Sequence, residues 1–262
     1  MVLIVDIGNT TINFGVFKEN KKTAGFYIPS FPKKGSRSYA FLIKKELKNK
    51  KVPVSSFSGC FIGSVVPGLT PVIRRAAGSV IKKNPVIFSG KTKINVRNKY
   101  KNKSEVGDDR IANAAAGRKI YPGKNFIVID FGTAITFDAV NKKGEYLGGI
   151  IIPGIGLMKE ILFKKTARLP DINVKAPEGV IGRDTRESIS SGIVNSAAAG
   201  VNYLVRRVKK ELKDNKAKVI LTGGRKEQWL MDMLDFKPSK TDPDFTLKGF
   251  KIIYDMNTKN GK

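Results

Sequence analysis

Aspartate, glycine and hydroxyl residues that could handle a phosphate group stand near the start of the chain. The segment Asp6-Ile-Gly-Asn-Thr10 follows an aliphatic strand at 2–5 and precedes a strand at 12–17 in which apolar and polar residues alternate. Glycine at such a turn lets the backbone approach a phosphate, and the neighbouring amides and hydroxyls can donate to its oxygens. Asp6 could hold a metal-bound water. Taken alone, the segment also fits an ordinary hairpin turn.

A second copy of this segment occurs near the middle of the chain, at residues 126–140. A constant offset of 124 positions aligns Asp6 with Asp130 and Val16 with Val140. Because this offset is close to half of the 262 residues, it predicts a duplicated domain. The boundary is expected where Tyr-Pro-Gly-Lys breaks a helix, which gives domains at 1–120 and 121–262.

A third motif comes late in the chain, where a strand beginning at Lys218 runs into Leu221-Thr-Gly-Gly224. The two Asp-x-Gly hairpins and this glycine pair resemble the three-part signature of the acetate kinase, hexokinase, heat-shock chaperone and actin superfamily. The resemblance implies an α/β fold of two tandem ribonuclease H-like domains with ATP in the cleft between them. Competing phosphate loops fail, because Pro85 stands where a P-loop before Gly90-Lys-Thr92 requires glycine.

The composition restricts the chemistry further, since the chain contains no histidine and a single cysteine, Cys60. Histidine-dependent triads, histidine metal sites, disulfides within the chain and multi-cysteine zinc sites are therefore excluded. A general base must be Asp, Glu, Lys, Tyr or a group of the substrate. Gly107-Asp-Asp-Arg110, at the start of an alanine-rich helix, offers a carboxylate beside an arginine. The same aspartates could equally cap the helix.

The net charge of +27 comes from 37 Lys and 12 Arg against 22 acidic residues. Nucleic-acid recognition relies more on arginine, so we interpret the scattered lysines as a solvated surface and expect no specific nucleic-acid partner. No apolar run is long enough to span a membrane, and the N-terminus lacks the basic start of a signal peptide. We therefore predict a cytoplasmic protein with no membrane partner.

Apolar periodicity predicts several helices and strands around the motifs. Predicted helices lie at 38–50, 69–81, 110–120 and 185–212, and a further strand lies at 61–66. The helix at 185–212 has a continuous apolar stripe, with Asp184 as its N-cap and Glu187 three residues later. Small residues around Ala198 could face either the domain's own core or a second subunit.

Over nearly its whole length, the chain resembles the type III pantothenate kinases. The motifs that carry the resemblance are Asp6-Ile-Gly-Asn-Thr10, Ser64-Val-Val-Pro67, Tyr100 through Arg110, Asp130-Phe-Gly-Thr-Ala134, Gly148 through Gly154, Thr166-Ala-Arg-Leu-Pro170, Gly182-Arg-Asp-Thr185 and Leu221-Thr-Gly-Gly224. The segments 18–60 and 225–262 carry no motif. The resemblance implies ATP-dependent phosphorylation of pantothenate to 4'-phosphopantothenate, the first step of coenzyme A biosynthesis.

The resemblance also implies roles for individual residues. Asp109 would be the proton acceptor, Asp130 would bind a monovalent cation, K⁺ or NH₄⁺, and Asp6 could contact Mg²⁺ through water. ATP would be bound by Asp6, Ile7, Gly8, Asn9, Thr10, Thr11, Ile12, Asn13 and Thr133. Pantothenate would be bound by Tyr100, Gly107, Asp108, Asp109, Arg110 and Thr185. The resemblance further implies a two-fold homodimer, and we predict that the helix at 185–212 lies at its interface.

One position departs from the family pattern, since Asp108 stands where a small residue is usual. A second carboxylate beside Asp109 should disfavour ionisation of the pair. Two other functions remain open from sequence. The chain could be a non-catalytic relative that acts as a transcriptional accessory factor, or a kinase of the same superfamily with another small hydroxylated substrate.

Overall fold

The computed structural model describes residues 1–223 and 228–258, and they form two compact units. The first unit contains Met1–Ile120 together with the chain from Asp244 onwards, and the second contains Tyr121–Pro243. In the described part of the chain, no helix is both long and apolar enough to cross a membrane.

A mixed five-stranded sheet forms the centre of the first unit. Its strands are β1 (Val2–Ile7), β2 (Thr11–Lys18), β3 (Lys21–Pro29), β4 (Gly59–Ser64) and β5 (Val86–Ile87), in the order β3-β2-β1-β4-β5. The first three strands are antiparallel neighbours, whereas β4 runs parallel to β1 and β5 parallel to β4. A short strand β6 (Arg97–Asn98) comes later in this unit. Parallel β1 and β4 therefore end at the same edge of the sheet.

Helices cover both faces of this sheet. On one face, apolar side chains of α1 (Ser36–Asn49) and α2 (Thr70–Ile81) close a core with alternate residues of β1 and β2. On the other face, α3 (Asp108–Ile120) and α7 (Phe245–Thr258) pack together, and the rings of Phe61 and Phe250 lie 6.1 Å apart. Single 3₁₀ turns occur at Val54–Ser56 and Lys103–Glu105.

The second unit repeats this plan. Its strands are β7 (Phe126–Phe131), β8 (Ala134–Val140), β9 (Glu145–Pro153), β10 (Lys218–Gly223) and β11 (Lys240–Thr241). They follow one another as β9-β8-β7-β10-β11, with the same antiparallel and parallel relations as in the first unit. The helices are α4 (Ile155–Lys165), α5 (Thr185–Glu211) and α6 (Gln228–Asp232). The duplicated sheet confirms the predicted α/β class.

The constant offset of 124 residues between the two hairpins holds for their first strands but is wrong for their second strands. Ile7 pairs with Ile12 across four turn residues, but Phe131 pairs with Ile135 across three. Beyond the turn the offset is therefore 123, so that Ile135, and not Thr136, takes the core position of Ile12. A shift of one residue turns every side chain of a strand to the other face.

The predicted second domain, 121–262, ends too late. Helix α7 lies in a segment without a recognisable motif, yet it packs against α3, β1, β2 and β4 of the first unit. The approach to α3 is close, because a Cβ atom on Gly249 would lie 2.0 Å from the Ala112 carbonyl oxygen. The chain thus returns to its first unit after completing the second.

The predicted helices are confirmed as α1, α2, α3 and α5, with ends within two residues of the expected ones. Among the longer elements, sequence patterns missed β3, β9, α4 and α7. In α7 the buried set includes Gly249 and Lys251, which weakens the apolar pattern that marks a helix. Of the third motif, Gly224 lies outside the described residues.

The close contact between α3 and α7 predicts that alanine lowers the melting temperature at Gly249 but not at Gly156. Gly249→Ala should lower the melting temperature, since overpacking a close contact costs about 1–3 kcal/mol. Gly156→Ala in α4 is the matched control, because its Cβ meets nothing within 4 Å and alanine favours a helix. Thermal melts by circular dichroism measure both variants. Equal melting temperatures for the two would contradict the tight α3–α7 packing.

Candidate active site

The first hairpin presents its turn at the edge where β1 and β4 end. Asn9 and Thr10 are exposed at its tip, and the Gly8 N–H donates to the Thr11 carbonyl at 3.0 Å. Below the tip, the Asn13 amide donates to the Asp6 carboxylate at 3.4 Å, which fixes a half-buried carboxylate beside the turn. This arrangement can offer amides and hydroxyls to an anion and a carboxylate to a cation.

Ser30 supports this turn, and no sequence motif pointed to it. It lies after β3, is 1% exposed, and its hydroxyl donates to the Gly8 carbonyl at 2.7 Å. Its N–H donates to the Thr10 carbonyl at 2.9 Å. Both carbonyls are held by one buried residue, which restrains the backbone of the turn. A lone serine at the end of a lysine-containing strand gives no local signal of such a role.

The end of β4 joins this hairpin to the loop before α3. Ser64 is the register partner of Ile7, and the next N–H, of Val65, donates to the Ile7 carbonyl at 3.0 Å. A Cβ atom on Gly107 would lie 3.1 Å from Val65 Cγ1 and 2.5 Å from Asp109 Oδ1. Glycine is therefore needed at 107 so that the Asp109 carboxylate can pack against its own turn.

Asp109 lies in the first turn of α3 and is partly buried. The Arg110 N–H donates to its Oδ1 atom at 2.7 Å. Burial raises the pKa of the Asp109 carboxyl above its usual range, and this hydrogen bond and the Arg110 charge only partly oppose the shift. A carboxylate with a raised pKa accepts a proton more readily than an ordinary aspartate.

Asp108 points elsewhere, because its Oδ2 atom accepts a hydrogen bond of 2.8 Å from the Ser64 N–H. Burial raises the pKa of this carboxyl to about 6, the hydrogen bond from Ser64 lowers it, and the nearby Asp109 charge raises it. Two adjacent aspartates thus have different partners. Sequence reasoning expected mutual repulsion but could not assign the contact with β4.

Tyr100 and Arg110, two further residues predicted to bind pantothenate, belong to the same unit. Arg110 is 6% exposed, and Tyr100 is half-buried in the loop between β6 and the 3₁₀ turn. The Tyr100 N–H donates to the Asn98 side chain at 2.9 Å, and Asn102 caps the following turn by accepting from the Ser104 N–H. This lysine-rich loop therefore has internal hydrogen bonds that define its path.

The second unit carries its own hairpin turn at Gly132 and Thr133, both exposed. The Gly154 N–H donates to the Thr133 carbonyl at 3.0 Å, and a Cβ on Gly154 would lie 2.4 Å from the Gly132 oxygen. At the end of β10, Gly223 has φ +71°, and a Cβ there would lie 2.5 Å from Asp130 Oδ1. The two glycines leave room for the hairpin and for the Asp130 carboxylate.

Thr185 begins α5, at a separate place in the second unit. Asp184 is the N-cap and accepts from the Glu187 N–H at 2.8 Å, while Glu187 accepts from the Arg183 N–H at 2.8 Å. This confirms the predicted cap. Gly182 is confined by the helix start, because a Cβ there would lie 2.3 Å from the Ser188 nitrogen. The Gly182-Arg-Asp-Thr185 motif is thus a helix-start structure that holds Thr185 in place.

The acidic residues of the described chain do not form a ready-made metal cage, since no group of three or more Asp, Glu or Cys side chains is close enough to share an ion. Asp6 beside the hairpin turn is a single half-buried carboxylate that accepts a hydrogen bond from the Asn13 amide.

Comparison with known proteins decides the family. Residues 2–207 match the family model described as type III pantothenate kinase. The chain belongs to the type III pantothenate kinase family. A type III pantothenate kinase from Finegoldia magna is 39% identical over 263 residues, covering 98% of each chain. The kinase therefore carries out ATP-dependent phosphorylation of pantothenate in coenzyme A biosynthesis, as the resemblance implied.

Solved structures with low identity confirm the fold of the kinase. A Campylobacter jejuni protein described as a Baf family transcriptional activator superposes with a TM-score of 0.59 at 22% identity, covering 98% of this chain and 99% of that one. The ROK hexokinase of Thermus thermophilus gives a TM-score of 0.52 at 14% identity, covering 99% of each. These likenesses support two ribonuclease H-like domains and carry no conclusion about activity.

The contact of Asp108 predicts a pH-dependent effect on stability. Its pKa of about 6 lies above that of an unfolded aspartate, so the protonated form favours folding and this contribution is lost as pH rises through 6. Asp108→Asn keeps an acceptor for the Ser64 N–H but carries no charge. Above pH 7 it should raise the melting temperature by a few degrees, since about 1 kcal/mol corresponds to about 2–4 °C at this size.

The same variant should match the unmodified protein near pH 3, which lies below the pKa of Asp108 in both the folded and the unfolded state. Melting curves at pH 3, 6 and 8 measure the difference. A constant difference at all three values would show that the charge of Asp108 is not responsible.

Proposed function

We propose that this kinase uses Asp109 to accept the proton of the pantothenate hydroxyl as that oxygen attacks the γ-phosphorus of ATP. The new O–P bond forms while the bond from the γ-phosphorus to the bridging oxygen breaks, so the products are phosphopantothenate and ADP. The observation that carries this proposal is the partly buried carboxylate with a raised pKa in a chain that has no histidine.

The first hairpin is proposed to hold the phosphates of ATP through residues 6–13. Its exposed tip and the two hydrogen bonds from Ser30 give donors in a fixed arrangement, which is what phosphate binding requires. Thr133 is proposed to contact ATP from the second hairpin. Asp6 would hold Mg²⁺ through water, and the ion would supply charge neutralisation on the phosphates.

Pantothenate recognition is proposed for the loop that runs from Tyr100 to Arg110. Arg110 can pair with the pantothenate carboxylate, since its guanidinium offers several donors in a fixed plane. Gly107 and Asp108 belong to the same loop, and Thr185 at the start of α5 is proposed as a further contact. The surplus of basic residues would favour approach of both anionic substrates.

A coupled assay that follows ADP release from ATP, pantothenate and K⁺ tests the activity directly. Pantothenate-dependent release is expected, with product detected as phosphopantothenate by mass spectrometry. Release that ignores pantothenate but responds to another hydroxylated acid or sugar would instead favour a superfamily kinase with a different acceptor. DNA binding without any turnover would favour the accessory-factor alternative.

The assignment of the base predicts unequal effects at neighbouring positions. Asp109→Asn should reduce kcat by about 10²–10⁴-fold, which is the usual contribution of a general base. Asp108→Asn should keep the larger part of the rate and serves as the matched control. Steady-state rates with saturating substrates measure both variants. If Asp108→Asn is the inactive one, the base has been assigned to the wrong neighbour.

A monovalent cation is proposed to bind at Asp130. Glycine at 223 keeps a side chain away from this carboxylate, because a Cβ atom there would lie 2.5 Å from Asp130 Oδ1. Replacing K⁺ or NH₄⁺ by Na⁺ should reduce the rate, since oxygen ligands spaced for the larger ions fit the smaller Na⁺ poorly. Asp130→Asn should reduce the increase in rate that K⁺ causes more than it reduces the rate measured without K⁺. Equal rates in all three salts would overturn the cation site.

The kinase is also proposed to work as a homodimer, through a surface other than the stripe of α5. That stripe lies in the second unit's own core, and Ala198 is 4% exposed. An exposed apolar groove of about 790 Å³ lies instead between α4 and α5, lined by Leu157, Ile161 and Gly192. Because exposed apolar groups gain by burial, this groove is the better candidate for a subunit contact.

Ile161→Lys tests this contact, because the side chain is 56% exposed and the change should not disturb the core. Charge in an isologous patch counts twice, so the variant should shift the protein towards monomer in light scattering. Phe163→Lys is the control, since Phe163 is exposed on α4 but does not line the groove. An unmodified protein that is monomeric and fully active would refute the dimer.

The cytoplasmic location expected from sequence remains a proposal, consistent with ATP as the phosphate donor. Selective nucleic-acid binding is not proposed. Any binding of DNA by the +27 surface should fall steeply with salt, because it would come from counterion release.

A further inference from the structure

Asp108 makes a contact that the transfer of phosphate does not require. Its carboxylate accepts the Ser64 N–H at 2.8 Å and so joins the first turn of α3 to the end of β4. The adjacent Asp109 instead accepts from the Arg110 N–H. The two carboxylates therefore have separate partners, and that of Asp108 belongs to another element of the sheet edge.

A short series of contacts leads from this hydrogen bond to the phosphate-binding hairpin. Ser64 is paired in register with Ile7, and the Val65 N–H donates to the Ile7 carbonyl at 3.0 Å. Ile7 is the last residue of β1, directly before the hairpin turn. We propose that Asp108 is a positioning residue that holds Asp109 at a fixed distance from the hairpin. This inference rests on the proposed role of Asp109.

The partner side of the contact is itself held rigidly. The Thr70 hydroxyl donates to the Ser64 hydroxyl at 2.7 Å, and the Val66 N–H donates to the same oxygen at 3.1 Å. Ser64 is thereby connected to the first turn of α2 as well as to β1. Because Ser64 is held from two sides, its N–H can fix the position of the Asp108 carboxylate. A mobile donor would instead move with the carboxylate.

A carboxylate suits this role better than a neutral acceptor in one respect and worse in another. Hydrogen bonds from a backbone N–H to a charged acceptor are stronger than those to a neutral one. Burial of the charge costs stability, as the raised pKa of Asp108 indicates. Such a cost is expected where a residue serves the geometry of a site rather than folding.

The test compares Asp108→Ala with Asp108→Asn in the full-length enzyme. Alanine removes the acceptor, and asparagine keeps one for the Ser64 N–H. With Asp109 free to move, Asp108→Ala should lose about 10–100-fold in kcat, because misplacement by about 1 Å costs on that order. Its KM for ATP should change by less than about threefold, and Asp108→Asn should restore most of kcat.

A kcat for Asp108→Ala within about threefold of the unmodified enzyme would overturn the proposal. A loss in Asp108→Asn as large as that in Asp108→Ala would overturn it too, since the hydrogen bond would not be what matters. Asp109→Asn is measured alongside. If Asp109→Asn is fully active, the proposed base fails; if it is inactive while Asp108→Ala is normal, only the positioning role fails.

Thr70→Val tests the same path if Asp108→Ala does not fold. It removes the hydroxyl that holds Ser64 and leaves α3 untouched. A several-fold fall in kcat is expected. Where Asp108→Ala does fold, the double variant should lose less than the product of the two single losses. Thr23→Val is the control, because that hydroxyl donates to the Val16 carbonyl on the β2–β3 hairpin. Equal rates for Thr70→Val and Thr23→Val would contradict the proposal.

Discussion

The end of β4, where it runs parallel to β1, is the junction on which the candidate active site depends. Backbone hydrogen bonds fix β4 beside β1, and the Val65 N–H continues this pairing past the last ladder residue to the Ile7 carbonyl. At the same point the Ser64 N–H leaves the sheet and binds Asp108. One strand end thus connects the first hairpin with the helix that bears Asp109.

A second constraint is that backbone segments pass very close to neighbouring oxygen atoms, which only glycine permits, and this occurs in both units. Gly107 makes room for the Asp109 carboxylate, and Gly154 and Gly223 make room for the second hairpin and Asp130. In each place a Cβ atom would lie within 2.6 Å of an oxygen. The motifs that identify the family are therefore largely motifs of close packing, with only a few side chains left for the chemistry.

Charge is distributed differently on the surface and at the site. The chain has a large excess of lysine, and water screens exposed charges, so their pairing contributes little to stability. At the start of α3, by contrast, two carboxylates are partly buried, and burial raises the pKa of both. A helix N-terminus favours negative charge, which makes it a suitable place for two neighbouring aspartates.

Much followed from the sequence alone: the repeated Asp-x-Gly hairpin, the α/β class and the α5 cap. These depend on short-range spacing and on residue types. Tertiary structure decided the 123-residue offset after the turn, the return of α7 to the first unit, the burial of the α5 stripe and the direction of the Asp108 carboxylate. Each depends on contacts between distant segments, which local patterns do not encode.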